Sequence, residues 1–403
     1  MFLLLENQFE KLLSSESKNA INYSAKMAEQ FGVNIFLIGG IVRDLIMNNK
    51  IKDIDISVEG DAIDFAQLLV TRDCCKIIQI QEKLRTAKVC FSSGIEIDFA
   101  STREETYLKS GVLPVAHNFG CLLEKDVKRR DFTINTLAMV LCGTNKYNLV
   151  DYYGGYQDIL DKKIKVLHEK SFIDDPSRII RTLKFKERFD FDIDEQTQNL
   201  MDYYLKNPDV EMPLERVKSE LKQYFSIEKI NIYSELVKLK AYKLVSKEPL
   251  TSVKFDRFKD IERFDLYKKS DMPCIYSLLL MINSDFGPRL NLTSDETKII
   301  SQVREMMSLI IDNDNEKIYK IFSNKENIAL VIYYLITGEK SLIKFLTELR
   351  GIKVLTTGND LIKLGYIPSK QFSEIFDSIL KEKLRGNLKT KEEEIEFIKK
   401  ESR

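Results

Sequence analysis

Two hydrophobic periods share the first third of the chain. Residues 5–31 place apolar side chains at helical spacing and stop at Gly32, which predicts one or two amphipathic helices. "VNIFLIGG" (33–40) is a short apolar run closing on a double glycine, the pattern of a buried strand entering a turn. "IVRDLIMN" then continues as a helix. "IKDIDISV" (51–58) alternates, with Ile54, Ile56 and Val58 on one face and Asp53, Asp55 and Ser57 on the other. "DAIDFAQLLVTR" predicts a helix, and "KIIQIQEK", "TAKVCFSS" and "IEIDFAST" predict three further strands. Their hairpin-like spacing suggests a small mixed or antiparallel sheet with helices on one face.

From about residue 150 the strand signals fade. "FIDDPSRIIRTLKFKERF" (172–189) predicts a helix with an acidic pair and Pro176 in its first turn. "EQTQNLMDYYLKN", "PLERVKSELKQYF", "NIYSELVKLKAYKLV" and "NIALVIYYLITG" predict more helices. The stretch from Thr357 to Leu384 reads as helices separated by a glycine turn. Turn signals and composition put boundaries near 145, 210 and 345.

Composition narrows the chemistry. At 403 residues the chain has room for two or three domains. No apolar stretch is long enough to cross a bilayer, and "MFLLLENQFEKLL" is broken by Glu6 too early for a signal peptide, so a soluble cytoplasmic protein is expected. Formal net charge is zero, so nucleic-acid contact has to rely on local basic clusters such as "EKDVKRRDF". The six cysteines (74, 75, 90, 121, 142 and 274) form no C-x-x-C pair and no zinc-ligand spacing, and are expected to be reduced. With only His117 and His168 in the chain, histidine-based nucleophilic chemistry is nearly excluded.

What remains is carboxylate and arginine chemistry. Asp53 and Asp55, two apart on a strand, project to the same side, where a divalent cation can relieve their repulsion. On "GIEIDFAS", Glu96 and Asp98 oppose Ile95, Ile97 and Phe99. If the two strands are neighbours, three acids supply the minimal equipment for two-metal phosphoryl transfer, with no histidine base. Gly39 and Gly40 leave a bare backbone that phosphate oxygens can approach, and Arg43 follows one helical turn later. "GGIVRD" lacks the spacing of a dinucleotide fingerprint. "KRRDFTINTLAM" pairs Arg129 and Arg130 with Asp131 ahead of an expected amphipathic helix, which Asp131 caps unless it orients an arginine. In "DDPSRIIRTLKF", Asp175, Arg178, Arg181 and Lys184 recur every third residue in one drifting helical stripe. An acid and an arginine there can meet the pairing edge of a base; the plainer reading is a helical ion-pair ladder.

In this order the segments resemble the class II tRNA nucleotidyltransferases, the CCA-adding enzymes, and the bacterial poly(A) polymerases that share their head. "LIGGIVRDLIMNNKIKDIDISVEGDA", "GIEIDFASTREETY", "LEKDVKRRDFTINTLAM", "LVDYYGGYQDILDKKIKVL" and "FIDDPSRIIRTLKFKERFDFDID" carry the resemblance over 37–194, and the C-terminal stretch resembles the end of longer members. The resemblance implies an α+β chain: a polymerase-β-like nucleotidyltransferase head with a small mixed sheet (1–145), then an all-helical neck (146–210), body (211–345) and tRNA-binding tail (346–403). It implies catalytic Asp53, Asp55 and Asp98, with two Mg2+ ions held by Asp53 and Asp55. It implies triphosphate contacts from Gly39, Gly40, Arg43 and Arg130. Asp175 and Arg178 would read the bases of CTP and ATP, assisted by Arg181 and, less tellingly, Lys184. The partner would be the tRNA 3′ acceptor end.

The fourth motif departs from the usual Glu-Asp by opening on Asp174, and Lys184 stands where a third arginine is common. The interval 103–128 fills the place of the loop that CC-only members tend to lack, so complete CCA addition is expected. Addition of A alone, addition of CC alone, poly(A) synthesis and a non-catalytic RNA-binding descendant are the alternatives.

Overall fold

The computed structural model describes residues 5–72, 74–208, 214–229, 231–248, 253–284 and 287–401. Pro213, at the head of one expected helix, lies outside them. Contacts divide the chain into two compact units, residues 1–244 and 245–403.

The first unit begins with α1 (Glu6–Leu12) and α2 (Ser15–Phe31). Ser14 caps α2 by accepting from the Ser17 amide, and Gly32 ends it in the left-handed conformation that glycine adopts without strain. Then come β1 (Asn34–Ile38), α3 (Gly40–Ile46), β2 (Asp55–Glu59), α4 (Ala62–Leu69), β3 (Cys75–Gln81), β4 (Thr86–Phe91) and β5 (Glu96–Ser101). A hairpin, β6 (Glu104–Thr106) with β7 (Val115–His117), precedes α5 (Leu123–Lys128), β8 (Ala138–Val140) and β9 (Leu149–Val150).

Seven of these strands form one sheet in the order β3-β4-β5-β2-β1-β8-β9. It is mixed, as expected: β2 and β5 run parallel and the other pairs antiparallel. Alternation sorts the faces. Ile56, Val58, Val89, Ile97 and Phe99 are buried on the side where α4 packs, with the Phe65 ring 5.5 Å from that of Phe99. On the opposite side α5 covers β1 and β8 through Leu123, Val127, Phe36, Ile38 and Ala138.

Two expectations need correcting. "FTINTLAM" does not form a helix: Thr133–Asn135 make a single 3-10 turn and Ala138–Val140 become β8. Every residue from Asp131 to Met139 is buried, polar and apolar alike, so burial there follows neither the helical nor the strand period. The helix expected over 172–189 is divided. After α6 (Gly155–Leu160) and β10 (Lys163–Ile164), α7 (Ser171–Asp174) stops before Asp175, and α8 (Ser177–Phe189) restarts behind Pro176. Asp175 takes extended backbone angles, as a residue preceding proline prefers.

The unit closes with β11 (Asp192–Ile193), parallel to β10, and α9 (Glu195–Lys206), α10 (Glu215–Phe225) and α11 (Ile232–Lys238). The described part of the second unit is helical: α12 (Phe258–Ile261), α13 (Met272–Met281), α14 (Ser294–Ser308), α15 (Asn315–Phe322), α16 (Asn327–Thr337), α17 (Lys340–Lys344), α18 (Gly358–Lys363), α19 (Lys370–Leu384) and α20 (Lys391–Glu401). Leu361, Ile379 and Ile398 gather the last three around a small core of their own. Among the described residues no helix is long and apolar enough to cross a membrane.

Candidate active site

Two of the three acids come together as the strand pattern requires. Asp55 opens β2 and is the register partner of Asp98 on parallel β5, so both stand on the face that α4 leaves uncovered. Asp53 lies two residues before Asp55, just ahead of the strand. Asp55 is exposed at the strand's start, yet loss of water around its carboxyl raises it above the ordinary value, and the charges of Asp98 and Asp53 add to the rise, against Arg130 and Lys88. Among the described residues no three histidine, cysteine or acidic side chains converge as a ready metal cage. The donor set still suits a hard divalent cation, because it consists of carboxylate oxygens whose mutual repulsion a cation would relieve. Lys88, on β4, was not singled out from the sequence. Its Nζ lies 2.6 Å from Asp98 Oδ2.

A cleft of about 460 Å³ lies alongside Gly39 and Gly40. Six cationic side chains line it (Arg43, Lys52, Arg130, Arg181, Lys184 and Arg188), and Asp131 is the one acid in the lining. The glycine pair has a steric reason. Gly39 takes φ +73°, and a Cβ there would stand 2.9 Å from Arg130 Nη1, so the guanidinium rests against bare backbone. Arg130 Nη2 donates to Asp126 Oδ2 at 3.2 Å, while its buried Nε–H has no hydrogen-bond partner. A buried unpaired donor on a cationic cleft is a place for an anion.

Arg43 is more committed than expected. Its guanidinium donates to Asp44 and Asn135 and lies 4.5 Å from the Phe189 ring centre, and burial lowers its pKa despite Asp44. Asp131 resolves the alternative left by the sequence: with no helix to cap, it orients an arginine. Oδ1 accepts from the Phe132 amide and Asn135 Nδ2, and Oδ2 accepts from Arg181 Nε at 2.8 Å and from Arg181 Nη2. Burial alone would raise this carboxyl, but Arg181 and Asn135 outweigh it and hold it at about 2. Glu220 on α10 accepts from both Arg181 and Lys184, so these two stripe residues are paired across helices as well as lining the cleft. Burial depresses the Lys184 ammonium, with Glu220 opposing.

Asp175 and Arg178 lie elsewhere. Both are 3% exposed, and neither lines the cleft. Asp175 Oδ1 accepts from the Ser177 amide and hydroxyl, while Oδ2 accepts from Arg216. Arg178 donates to Ser171 Oγ and the Arg129 carbonyl, and its Nη2 is 3.4 Å from Tyr107 Oη on the loop between β6 and β7. The Gly111 amide of that loop also donates to the Asp174 carbonyl.

Sequence reasoning missed Asp126 as well. It is fully buried and accepts from the Arg103 amide and the guanidinium groups of Arg129 and Arg130. A charged residue one turn ahead of Arg129-Arg130 on a short helix was the available signal. For Lys88, Arg216 and Glu220 the partners are 10, 41 and at least 36 residues away, and only the fold brings them together.

Comparison with known proteins fits this geometry. Residues 35–165, which contain most of the sheet, match the family described as the Poly A polymerase head domain. The chain is 31% identical to an A-adding tRNA nucleotidyltransferase of Geobacter sulfurreducens over 92% of its own length, and spans 45% of that relative. It is 26% identical to the A-adding tRNA nucleotidyltransferase of Halalkalibacterium halodurans, covering 96% of this chain and 93% of that one. A solved CCA-adding enzyme superposes with a TM-score of 0.81 at 25% identity over 99% of both chains. The family likeness is carried by residues 35–165, and the chain spans about half the length of the first of these relatives.

Proposed function

We propose that this chain extends the 3′ end of tRNA by template-independent nucleotidyl transfer, with addition of the terminal adenosine from ATP as its defining step. The observation that most supports the reading is the cleft beside Gly39, where six cations face one carboxylate and the Arg130 Nε–H lacks a partner. Such a wall is suited to a triphosphate.

In this reading Arg130 and Arg43, with the backbone at Gly39 and Gly40, hold the phosphates, while Arg181 and Lys184 close the far side. Asp53 and Asp55 hold Mg2+, and Asp98 completes the acidic face. Bound magnesium supplies a lowered pKa for the RNA 3′ hydroxyl and neutralises charge on the leaving pyrophosphate. Asp175 and Arg178 read the base edge; since their polar atoms are already paired, they must first release Arg216 or the Arg129 carbonyl. Division of labour follows the chain, with the head ending near 145, a neck to 210, a body to 345 and a tail that holds the tRNA.

Complete CCA addition from CTP and ATP is the second reading, favoured by the likeness to solved CCA-adding enzymes. The A-adding names of the two relatives aligned over nearly the whole chain favour adenosine alone. Labelled CTP or ATP offered with transcripts that lack CCA, end in CC or are complete separates the two. Incorporation confined to ATP on the CC-ended transcript supports the first, whereas CTP incorporation on the transcript lacking CCA establishes the second. No incorporation on any transcript overturns both.

A further inference from the structure

Lys88 is a basic side chain ion-paired directly to the acids of the open sheet face, and neither its pattern nor the cleft accounts for it. It is the register partner of Asp98 across the antiparallel β4–β5 pair, while Asp55 is the partner of Asp98 on the other side. Its ammonium sits 2.6 Å from Asp98 Oδ2 and 3.7 Å from Glu96 Oε2, the acid two residues earlier on the same strand. Its charge is also felt by Asp53 and Asp55. A cross-strand ion pair by itself is ordinary. Here, however, the acid that Lys88 neutralises is the strand neighbour of Asp55. An ammonium paired to one carboxylate oxygen offsets the negative charge that a divalent cation would otherwise meet.

We propose that Lys88 is a tethered competitor for the divalent cation: it keeps Asp98 occupied, so that metal binding before the nucleotide arrives falls to Asp53 and Asp55. This rests on the reading of those acids as the cation site. Lys88 is a positioning residue acting through Asp98, and its consequence is a higher metal requirement in the nucleotide-free protein than the three acids would otherwise show.

The test is Mn2+ binding to the full, nucleotide-free chain, followed by electron paramagnetic resonance of the free ion, with circular dichroism as a check on folding. Lys88→Met should bind Mn2+ about two- to five-fold more tightly, the range that a partly exposed ion pair represents. Lys88→Arg should stay near wild type. The gain should vanish when Lys88→Met is placed on Asp98→Asn, because the competitor then has nothing to release. An unchanged or weakened affinity in Lys88→Met overturns the proposal. So does a gain that persists on Asp98→Asn, since loss of a nearby positive charge acting through space would then suffice. Mn2+ binding that Asp55→Asn leaves intact is a distinct result: it removes the cation-site reading itself, and the proposal with it.

Discussion

Replacing Asp131 with asparagine removes one charge from the centre of the first unit while keeping its shape. The carboxylate is buried and shared between Arg181, the Phe132 amide and Asn135. Asparagine preserves an acceptor for the Phe132 amide but leaves the Arg181 guanidinium with Glu220 alone. A carboxyl held at about 2 in the fold and at its ordinary 3.8 when unfolded contributes about 2 kcal/mol at neutral pH. The sign is that of a depressed acid: the contribution is complete above roughly pH 4 and disappears as pH falls through about 2. Urea unfolding followed by far-UV circular dichroism, the chain having no tryptophan, measures it. Asp131→Asn should lower the stability of the first unit by about 2 kcal/mol at neutral pH, and the gap should close between about pH 4 and pH 2. Other acids titrate in that window in both proteins, so the difference isolates Asp131. A gap that is absent at neutral pH, or that stays constant down to about pH 2, refutes the reasoning.

Gly39→Ala places a Cβ against Arg130 Nη1 at a left-handed φ; it should cost about 1–2 kcal/mol and weaken ATP binding several-fold, read by thermal melting and calorimetric titration. Glu394→Gln acts in the second unit, where the fully buried carboxylate accepts from the Leu355 and Thr356 amides, the Thr356 hydroxyl and Lys383 Nζ. Leaving the Lys383 ammonium buried without its counter-ion should destabilise that unit by about 3 kcal/mol in chemical unfolding. Stability unchanged within about 0.5 kcal/mol would show the pair to be dispensable.

The parts of the site that were legible in the sequence are those set by local rules. Period-two alternation gave Asp55 its face, although Asp53 falls just before the strand; the double glycine marked the turn between β1 and α3, and the strand carrying Asp98 was recognisable from its own pattern. Whether it lay beside the Asp53–Asp55 strand was a question of sheet order, which alternation does not encode; the parallel β2–β5 pairing answers it. The same limit hid Lys88, Arg216 and Glu220, each defined by a partner on another element. "FTINTLAM" misled because burial on all sides erases the period that separates helix from strand. The break at Asp175-Pro176 was foreshadowed by the proline, but its effect on Asp175, buried and bound to Arg216, depends on where α10 packs.

The central claim is that the acids on β2 and β5, beside the cationic cleft, transfer a nucleotide to an RNA end. Wild type and Asp55→Ala, incubated with labelled ATP, Mg2+ and a tRNA transcript ending in CC, test it most directly. The account predicts one adenosine added by the wild-type chain, and none by Asp55→Ala even though that variant still binds the transcript. Undiminished addition by Asp55→Ala, or no addition of ATP or CTP by the wild-type chain to any transcript, would contradict it.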